Sequence, residues 1–230
     1  MRSYSNLDNA ASNPMAQMMK SKTKRESGLR RYTSVPALLH LLQKREITLL
    51  NPASWDDRND AFFIIKYKQR RRLKSVLALC FAKATETYHH WRVFTHGSDG
   101  VCITFRRNSL LAAFANINDI QTRRVKYKLI KELQANRPAE RDLPFLKRRP
   151  YKDEKEFRII YLDHKEEIDA KGFPIELECI ERVTLSPWMP KILADAVKST
   201  IHRIPGCEKM KVYQTTLLEN EKWKRSAMPS

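Results

Sequence analysis

The sequence predicts an α+β protein. Segments with the pattern of strands outnumber those with the pattern of helices, and the two kinds do not alternate strictly, as a parallel α/β sheet would require. Two apolar runs, at 76–82 (VLALCFA) and 101–105 (VCITF), have the length and composition of buried strands. Over 187–204, apolar residues recur at helical spacing until Pro205 and Gly206 end the pattern.

Local signals predict the other elements in chain order. Residues 29–33 resemble a short strand, after which Ser34 can cap a helix whose first turn accommodates Pro36. A strand over 45–50 and a turn-rich loop over 53–60 precede a basic helix over 62–73. Further strands are predicted at 123–128, 156–162, within 175–185 and at 211–218, and further helices at 85–94 and from Asn108, whereas 129–149 shows no clear pattern.

Composition divides the chain into three parts. Residues 1–28 are polar and aperiodic and end at Gly28, which predicts a flexible N-terminal arm. Residues 29–218 contain all the predicted strands and helices and are expected to form one domain. Residues 219–230 are expected to form a C-terminal tail.

Charge is the most pronounced bulk property of the chain. It has 44 Lys and Arg against 26 Asp and Glu, a formal net charge of +18. Such a surplus attracts phosphate backbones, anionic membranes or acidic proteins. Membrane insertion is disfavoured because the longest apolar run, 76–82, is far too short to span a bilayer, and the N-terminus lacks the apolar region of a signal peptide. Four scattered cysteines without CxxC spacing fit a reducing compartment, so a cytoplasmic protein is expected.

The segment YKDEKEFRIIY, at 151–161, carries the first candidate site. If it is a strand, side-chain alternation places Glu154, Glu156 and Arg158 on one face and Phe157 and Ile159 on the other, towards a core. Two carboxylates and a guanidinium at this spacing would make a polar face on an otherwise buried strand. A solvated strand edge with a surface ion pair explains the same residues equally well.

A second candidate precedes the first helix. Arg31, Tyr32 and Thr33 lie just before a capped helix start, a place suited to binding phosphate, but these residues taken alone favour an ordinary strand with a surface arginine. The loop 55–60 can line a cleft or simply form turns. The sequence has no glycine-rich phosphate loop, GxSxG or HExxH motif, and its histidines lack metal-ligand spacing, so we expect no metal site.

Three basic segments, 66–74, 121–131 and 147–155, are interleaved with tyrosines. One such run is usually a solvated face, but three in a chain of this charge favour binding to nucleic acid. The expected phosphate contacts are Lys66, Arg70, Arg71, Arg72, Arg148 and Arg149.

Taken together, these segments resemble a known family. The order RYTS, REITLLNP, SWDDRNDAF, ALCFA, WRVF followed by GVCITF, RVKY and EKEFRIIY, over about 29–218, is similar to a bacterial family catalogued as a domain of unknown function. That family in turn is similar to the ADP-ribosyltransferase fold, in which a mixed, split β-sheet with flanking helices surrounds an NAD cleft. Two departures are the sequence NDAFF at 59–63, which lacks the family's Pro and Glu, and Ala82 in place of a serine.

The resemblance implies roles for particular residues. Glu156 would be the catalytic glutamate, with Glu154 two residues before it. The residues expected to contact NAD are Arg31, Tyr32, Thr33, Asn51, Asn59, Phe81 and Trp91. Cleavage of the nicotinamide–ribose bond develops positive charge on the ribose, which a fixed carboxylate stabilises.

Three hypotheses follow. The first is an NAD-dependent ADP-ribosyltransferase that modifies nucleic acid, with RNA favoured, as the toxin of an anti-phage toxin–antitoxin system; its partners would include an antitoxin and a chaperone. The second is a non-catalytic nucleic-acid-binding protein of the same fold. The third is an ADP-ribosyltransferase with a protein acceptor.

Overall fold

The computed structural model describes residues 28–95 and 97–228. The predicted N-terminal arm therefore lies outside the described residues, apart from Gly28. Within the described part, the strands are β1 Leu29–Ser34, β2 Glu46–Leu50, β3 Ser75–Ala82, β4 Gly100–Phe105, β5 Ile120–Arg124, β6 Lys126–Lys128, β7 Leu146–Arg148, β8 Glu156–Asp163, β9 Ala170–Pro174, β10 Ile180–Leu185 and β11 Val212–Gln214. The helices are α1 Val35–Lys44, α2 Arg58–Arg70, α3 Tyr88–Phe94, α4 Arg107–Ala112, α5 Ile130–Ala135, α6 Lys191–His202 and α7 Glu221–Ser226, with short 3₁₀ helices at Pro52–Ser54, Glu140–Phe145, Arg149–Glu154 and Leu177–Cys179.

The main sheet is mixed and split, as predicted. Its strand order is β11-β10-β4-β1-β3-β2-β9, and β8 pairs with both β3 and β5. All pairs are antiparallel except β10 with β11. β1 pairs with β4 along its whole length and β3 with β8 along its whole length, but β1 and β3 meet only at Arg30 and Ala82. The sheet therefore opens between β1 and β3.

A second, parallel sheet of two strands, β6 and β7, lies beside the main one. A 3₁₀ helix leads from β7 back to the start of β8. This short connection places the end of β7 and the start of β8 close together.

The interior contains two apolar clusters, one on each face of β3 and β8. The larger includes Leu38 and Leu42 of α1, Ile201 of α6, and Phe157 and Ile159 of β8. The smaller lies under α2 and includes Ile64, Tyr67, Phe145, Ile160 and Leu162. The predicted alternation along 156–162 is confirmed, and its solvated alternative is wrong, because every residue of β8 is buried.

Helix capping explains where the first two helices begin. The Ser34 hydroxyl accepts a hydrogen bond from the Ala37 N–H at 3.5 Å, as the sequence predicts. The prediction for α2 was wrong by four residues at its start. The Asp57 carboxylate accepts hydrogen bonds from the N–H groups of Asn59 and Asp60, so part of the predicted loop is the first helical turn.

Other differences have local causes. β9 was not predicted, because its sequence AKGFP contains Gly and Pro, yet it pairs with β2 at an edge of the sheet. The region predicted as a strand over 123–128 is two strands interrupted at Val125, and the helix predicted from 187 begins at Lys191, after Pro190. The predicted C-terminal tail contains α7, whose start is capped by Asn220.

Truncation of a core residue of β8 should destabilise the fold. Ile159 has 0% exposure, so Ile159→Ala should lower the free energy of unfolding by about 2–5 kcal/mol, because it leaves a cavity. Urea denaturation measures this change. Ile192→Ala is the matched control, since Ile192 is 78% exposed and should change the stability by less than about 0.5 kcal/mol. Equal effects of the two variants would contradict the burial of Ile159 in the core.

Candidate active site

A cavity of about 620 Å³ opens where β1 and β3 diverge. Because these strands pair at a single position, the backbones separate and their side chains line the gap. Residues from both halves of the sheet, from α2 and α3 and from the 3₁₀ helix before β8 surround it. The lining residues are Arg30, Arg31, Tyr32, Trp55, Asp56, Asp57, Asp60, Cys80, Phe81, Ala82, Val93, Phe94, Lys147, Tyr151, Glu154 and Glu156.

A buried arginine holds the first carboxylate of the site. The Arg158 guanidinium, with 0% exposure, donates to Glu156 from Nε at 2.5 Å and from Nη2 at 3.0 Å. It also donates to both carboxylate oxygens of Asp60, with Nη1 at 2.7 Å from Oδ1, and to the Pro144 carbonyl at 2.9 Å. Paired hydrogen bonds of this kind fix the plane of each carboxylate as well as its position.

Lys147 joins the two glutamates from the other side. Its ammonium donates to Glu154 Oε2 at 2.7 Å and to Glu156 Oε2 at 3.2 Å, and lies 3.9 Å from Asp60 Oδ2. The cluster thus contains three carboxylates and two cations, a formal charge of −1. Its negative surplus lies at the wall of the cavity.

The two glutamates have opposite pKa shifts. Burial alone would raise the pKa of Glu156, but the charge and hydrogen bonds of Arg158, with Lys147, lower it from the ordinary 4.5 to about 2. Burial raises the pKa of Glu154, an effect that Lys147 reduces and Glu156 increases. Environments that separate two carboxyl pKa values in this way are typical of acid–base sites.

The backbone between the glutamates is left-handed. Lys155 has φ 47° and ψ 48°, a conformation that costs a non-glycine residue about 1 kcal/mol. Its N–H donates to the Lys152 carbonyl, and its carbonyl accepts from the Lys83 N–H. Through this turn Glu154, which lies in the 3₁₀ helix and not on the strand as predicted, still reaches the same lysine as Glu156.

Among the described cations that line the cavity, Arg31 is available to a ligand. Arg30 donates to the Ala84 carbonyl at 2.9 Å, whereas no described residue forms a hydrogen bond or ion pair with the Arg31 side chain. Burial lowers the pKa of Arg31 to about 10, so the guanidinium stays charged at neutral pH. A charged, partly buried guanidinium without a protein partner is suited to an anionic ligand.

Aromatic rings form the remaining walls. Tyr32 packs edge-on against Trp91, with ring centroids 5.2 Å apart, and lies 5.9 Å from Phe94. The Arg158 guanidinium stacks on Trp55, with Cζ 4.9 Å from the centroid of the indole ring. Tyr127, whose hydroxyl accepts from the Glu156 N–H at 2.8 Å, fixes the start of β8.

The structure brings together five of the residues predicted from the sequence: Arg31, Tyr32, Phe81, Glu154 and Glu156 all line the cavity. Four others do not line it. Thr33 is further along β1, and Trp91 is completely buried behind Tyr32, where it donates to Glu86. Asn51 caps a 3₁₀ helix and donates to Asp169, and Asn59 is exposed and bonded to Asp57.

The predicted phosphate contacts fall into two separate groups. Arg148 and Arg149 follow Lys147 directly and lie beside the cavity. Lys66, Arg70, Arg71 and Arg72 lie towards the opposite end of α2 from Asp60, where Lys66 donates to Gln69. At 1.5 Å per residue, Arg70 is about 15 Å along the helix from Asp60.

Sequence reasoning missed Asp60 and Lys147. Asp60 was assigned to a loop, although its position in the NDAFF segment could have indicated a role. Lys147 was counted as part of a basic surface run, but its side chain is only 10% exposed. The pairing of Asp60 could not be read from the sequence, because Asp60 and Arg158 are 98 residues apart. The role of Lys147 could not be read from it either, because the burial of one lysine in a basic run depends on tertiary packing.

Within residues 28–95 and 97–228, no group of three His, Cys, Asp or Glu side chains could hold a metal ion. In the same part of the chain, no helix is long and apolar enough to cross a membrane. The four cysteines are free.

Comparison with known proteins finds similarity to solved structures of Thermus sp. 2.9 DarT. One, in complex with NAD⁺, is 10% identical and aligns over 84% of this chain and 98% of that chain, with a TM-score of 0.44. Another, in complex with ADP-ribosylated ssDNA, is 11% identical and aligns over 84% and 96%, also with a TM-score of 0.44. No protein-family model and no curated protein matches the chain. We therefore base the function on the side chains that line the cavity.

Removal of the buried guanidinium should be costly. Arg158→Gln leaves Asp60 and Glu156 buried without their main partner and should lower the free energy of unfolding by about 3–5 kcal/mol at pH 7. Arg148→Gln is the control, because Arg148 is exposed and forms no ion pair with a described residue; its effect should stay below about 0.5 kcal/mol. Urea denaturation compares the two, and a small loss for Arg158→Gln would contradict the buried network.

The contribution of Glu156 to stability should depend on pH. Its pKa is lower in the folded protein, so its ionisation stabilises the fold fully above about pH 4.5. This contribution, on the order of 3 kcal/mol, is lost as the pH falls towards 2. The stability difference between the wild type and Glu156→Gln should therefore shrink over this range in urea denaturation. Glu176→Gln changes an exposed glutamate and is the control. If its stability difference from the wild type shrank equally over the same pH range, the low pKa of Glu156 would be disproved.

Proposed function

We propose that this protein is an NAD-dependent ADP-ribosyltransferase that modifies nucleic acid. One observation carries the proposal: a buried, ionised glutamate lines the same cavity as an arginine that has no hydrogen-bond or ion-pair partner among the described residues. The first suits a reaction that develops positive charge, and the second suits a substrate with phosphate groups. The resemblance of the sequence motifs to the ADP-ribosyltransferase fold supports the same assignment.

Glu156 would act on the ribose of NAD. When the bond from ribose C1′ to the nicotinamide nitrogen breaks, the electron pair leaves with nicotinamide and positive charge develops on the ribose. A carboxylate held rigidly by Arg158 stabilises that charge without having to reorient. Because the whole cluster has a formal charge of −1, the two cations do not cancel its effect.

Arg31 and the aromatic walls would bind the rest of the donor. The Arg31 guanidinium fits the pyrophosphate, since nothing described in the protein neutralises it. Tyr32 and Phe94 provide flat apolar surfaces for a nicotinamide or adenine ring. Tyr32 is itself held in place by the buried Trp91.

Glu154 would receive the proton of the acceptor. As the acceptor nitrogen or oxygen bonds to ribose C1′, it loses one proton, and a carboxylate with a raised pKa is the better base of the two glutamates. Lys147 holds Glu154 through Oε2, and no described residue donates to Oε1. That oxygen is therefore available to the acceptor.

The acceptor would be a nucleic acid, because the chain has a net charge of +18 and basic residues flank the cavity. The family resemblance of the sequence favours RNA as the acceptor. Because one similar structure is a complex with ADP-ribosylated ssDNA, single-stranded DNA is tested beside RNA. An enzyme of this kind in the cytoplasm would be toxic, in keeping with a role as the toxin of an anti-phage system that needs an antitoxin and a chaperone.

Substitution of the catalytic glutamate should abolish transfer. Glu156→Gln should lower the rate of ADP-ribose transfer by at least about 100-fold, since it removes the charge that stabilises the transition state. The assay incubates the full chain with labelled NAD and with RNA, single-stranded DNA or protein, and mass spectrometry locates the label. Glu176→Gln, at an exposed position away from the cavity, serves as the control.

The outcomes separate the three hypotheses. Label on RNA or DNA that depends on Glu156 supports the proposal. Label only on protein indicates a protein acceptor, and no NAD consumption together with nucleic-acid binding indicates a non-catalytic binding protein. Full activity in Glu156→Gln would contradict the assignment of this residue.

Substitution of the proposed phosphate contact should weaken donor binding. Arg31→Gln should raise the KM for NAD at least about tenfold, because a charge-assisted contact is worth about 1.5–3 kcal/mol. Steady-state kinetics with varied NAD measures the change. Arg30→Gln is a stringent comparison, because Arg30 also lines the cavity but is bonded to the Ala84 carbonyl; an equal or larger effect there would contradict the role of Arg31.

A further inference from the structure

A cluster of cations that form no ion pair with a described residue lies on the small parallel sheet beside the cavity and on the two helices that follow its strands. We call it the mouth patch and define it as Lys128, Lys131, Arg148 and Arg149. In the register of β6 and β7, Tyr127 is opposite Lys147 and Lys128 is opposite Arg148. Because side chains alternate along a strand, Lys128 and Arg148 lie on the opposite face of the sheet from Tyr127 and Lys147, which contact the glutamates. Arg148, at the end of β7, is exposed, and Lys128 is half-buried.

Ion pairs with described residues do not neutralise the four cations of the mouth patch. No described carboxylate forms an ion pair with any of its four cations, whereas the neighbouring Lys126 pairs with Asp142. Lys128 and Arg148 have like charges on adjacent positions of paired strands, which destabilises a sheet. This arrangement becomes favourable when an anion lies between the two cations.

Glu132 shows that the cations share one region of the surface. Its carboxylate accepts from the Leu129 N–H, which lowers its pKa first, and Lys128, Arg149 and Lys131 lower the pKa further. One carboxylate, already used to cap α5, interacts electrostatically with three of the four cations. The patch therefore keeps a positive surplus.

A short helical turn connects the mouth patch to the cavity. Arg149 begins the 3₁₀ helix Arg149–Glu154, which also carries Tyr151 and ends at Glu154. Tyr151 lines the cavity, and the ammonium of Lys147 lies 4.8 Å from its ring centroid. The ring is 36% exposed, so part of it remains accessible at the edge of the cavity. Within six residues, the chain thus presents a cation, an aromatic ring and a catalytic carboxylate in sequence.

We infer that the mouth patch and Tyr151 bind a single-stranded polynucleotide, with phosphates on Lys128, Arg148 and Arg149 and one base stacked on Tyr151 next to Glu154. This inference rests on the proposed function, because it names the path by which the acceptor reaches that site. A single strand is required, since a base paired in a duplex does not offer its face to an aromatic ring. The distant arginines at the end of α2 are not part of this path.

Binding of a fluorescent single-stranded oligonucleotide to the full chain tests the path, with no NAD present. The probes are an RNA and a DNA of the same sequence, measured by fluorescence anisotropy at several salt concentrations. Arg148→Glu/Arg149→Glu should weaken binding at least about tenfold and reduce the slope of log K against log salt by about 1.4, because each cation withdrawn from a phosphate of a single strand accounts for roughly 0.7 of that slope. Arg148→Lys/Arg149→Lys should keep most of the affinity, because the charges remain.

The control with the same change of charge is Lys209→Glu/Lys211→Glu. Both lysines are exposed and lie just before β11, the edge strand of the main sheet, whereas the mouth patch adjoins the separate sheet of β6 and β7. This control should change the affinity less than about threefold, through the net charge alone. Equal losses for the two double variants would show that only net charge matters and would overturn the path.

Substitution of the tyrosine separates stacking from charge. Tyr151→Ala should weaken binding of the single strand at least about fivefold, without a change in the salt slope, and Tyr151→Phe should restore it. Tyr213→Ala, which removes a tyrosine that is 55% exposed on β11, should have no effect. An equal loss for duplex DNA, or no loss for Tyr151→Ala, would overturn the stacking role. Because the assay contains no NAD, its result does not depend on whether Glu156 cleaves that substrate.

Discussion

The guanidinium of Arg158 holds two carboxylates that come from distant parts of the chain, and the site depends on it. Asp60 lies in the first turn of α2, and Glu156 begins β8, so the arginine ties the helix to the sheet. A buried charge of this kind is costly unless all its donors are used. Here every nitrogen of the guanidinium has an acceptor, and Trp55 covers its face.

The split of the sheet gives this network access to a ligand. If β1 and β3 paired along their whole length, the backbone would close the space that Arg31 and Glu156 share. Because they pair only at Arg30 and Ala82, one carboxylate face of the buried cluster borders a cavity. The left-handed residue Lys155 then directs Glu154 to the same place as Glu156. Strain of this kind in the backbone is common where side chains must converge on a ligand.

The chain as a whole is positively charged, whereas the cluster of charged residues at the site is negative. The chain as a whole has a formal charge of +18, whereas the cluster of Asp60, Glu154, Glu156, Lys147 and Arg158 has a charge of −1. A positive surface attracts a polyanion over a distance set by the salt concentration, and a negative site favours a reaction centre that becomes positive. The proposed reaction, in which the reacting ribose carbon becomes positive and the acceptor is a polyanion, would use both.

The sequence by itself determined the fold class, most of the strands and five of the lining residues. The pattern of apolar residues was sufficient to predict the strands β3, β4 and β8, because a strand buried on both faces must be apolar or carry paired charges. The same pattern did not predict β9, whose sequence contains Gly and Pro, or the start of α2, which is set by the capping residue Asp57 within a polar, turn-like segment. Only the tertiary structure decided that Asp60 and Lys147 belong to the site and that Trp91 and Asn59 do not line it. The physical reason is that charge pairing and burial depend on contacts between residues far apart in the chain, here 98 positions for Asp60 and Arg158, and local patterns contain no information on such distances.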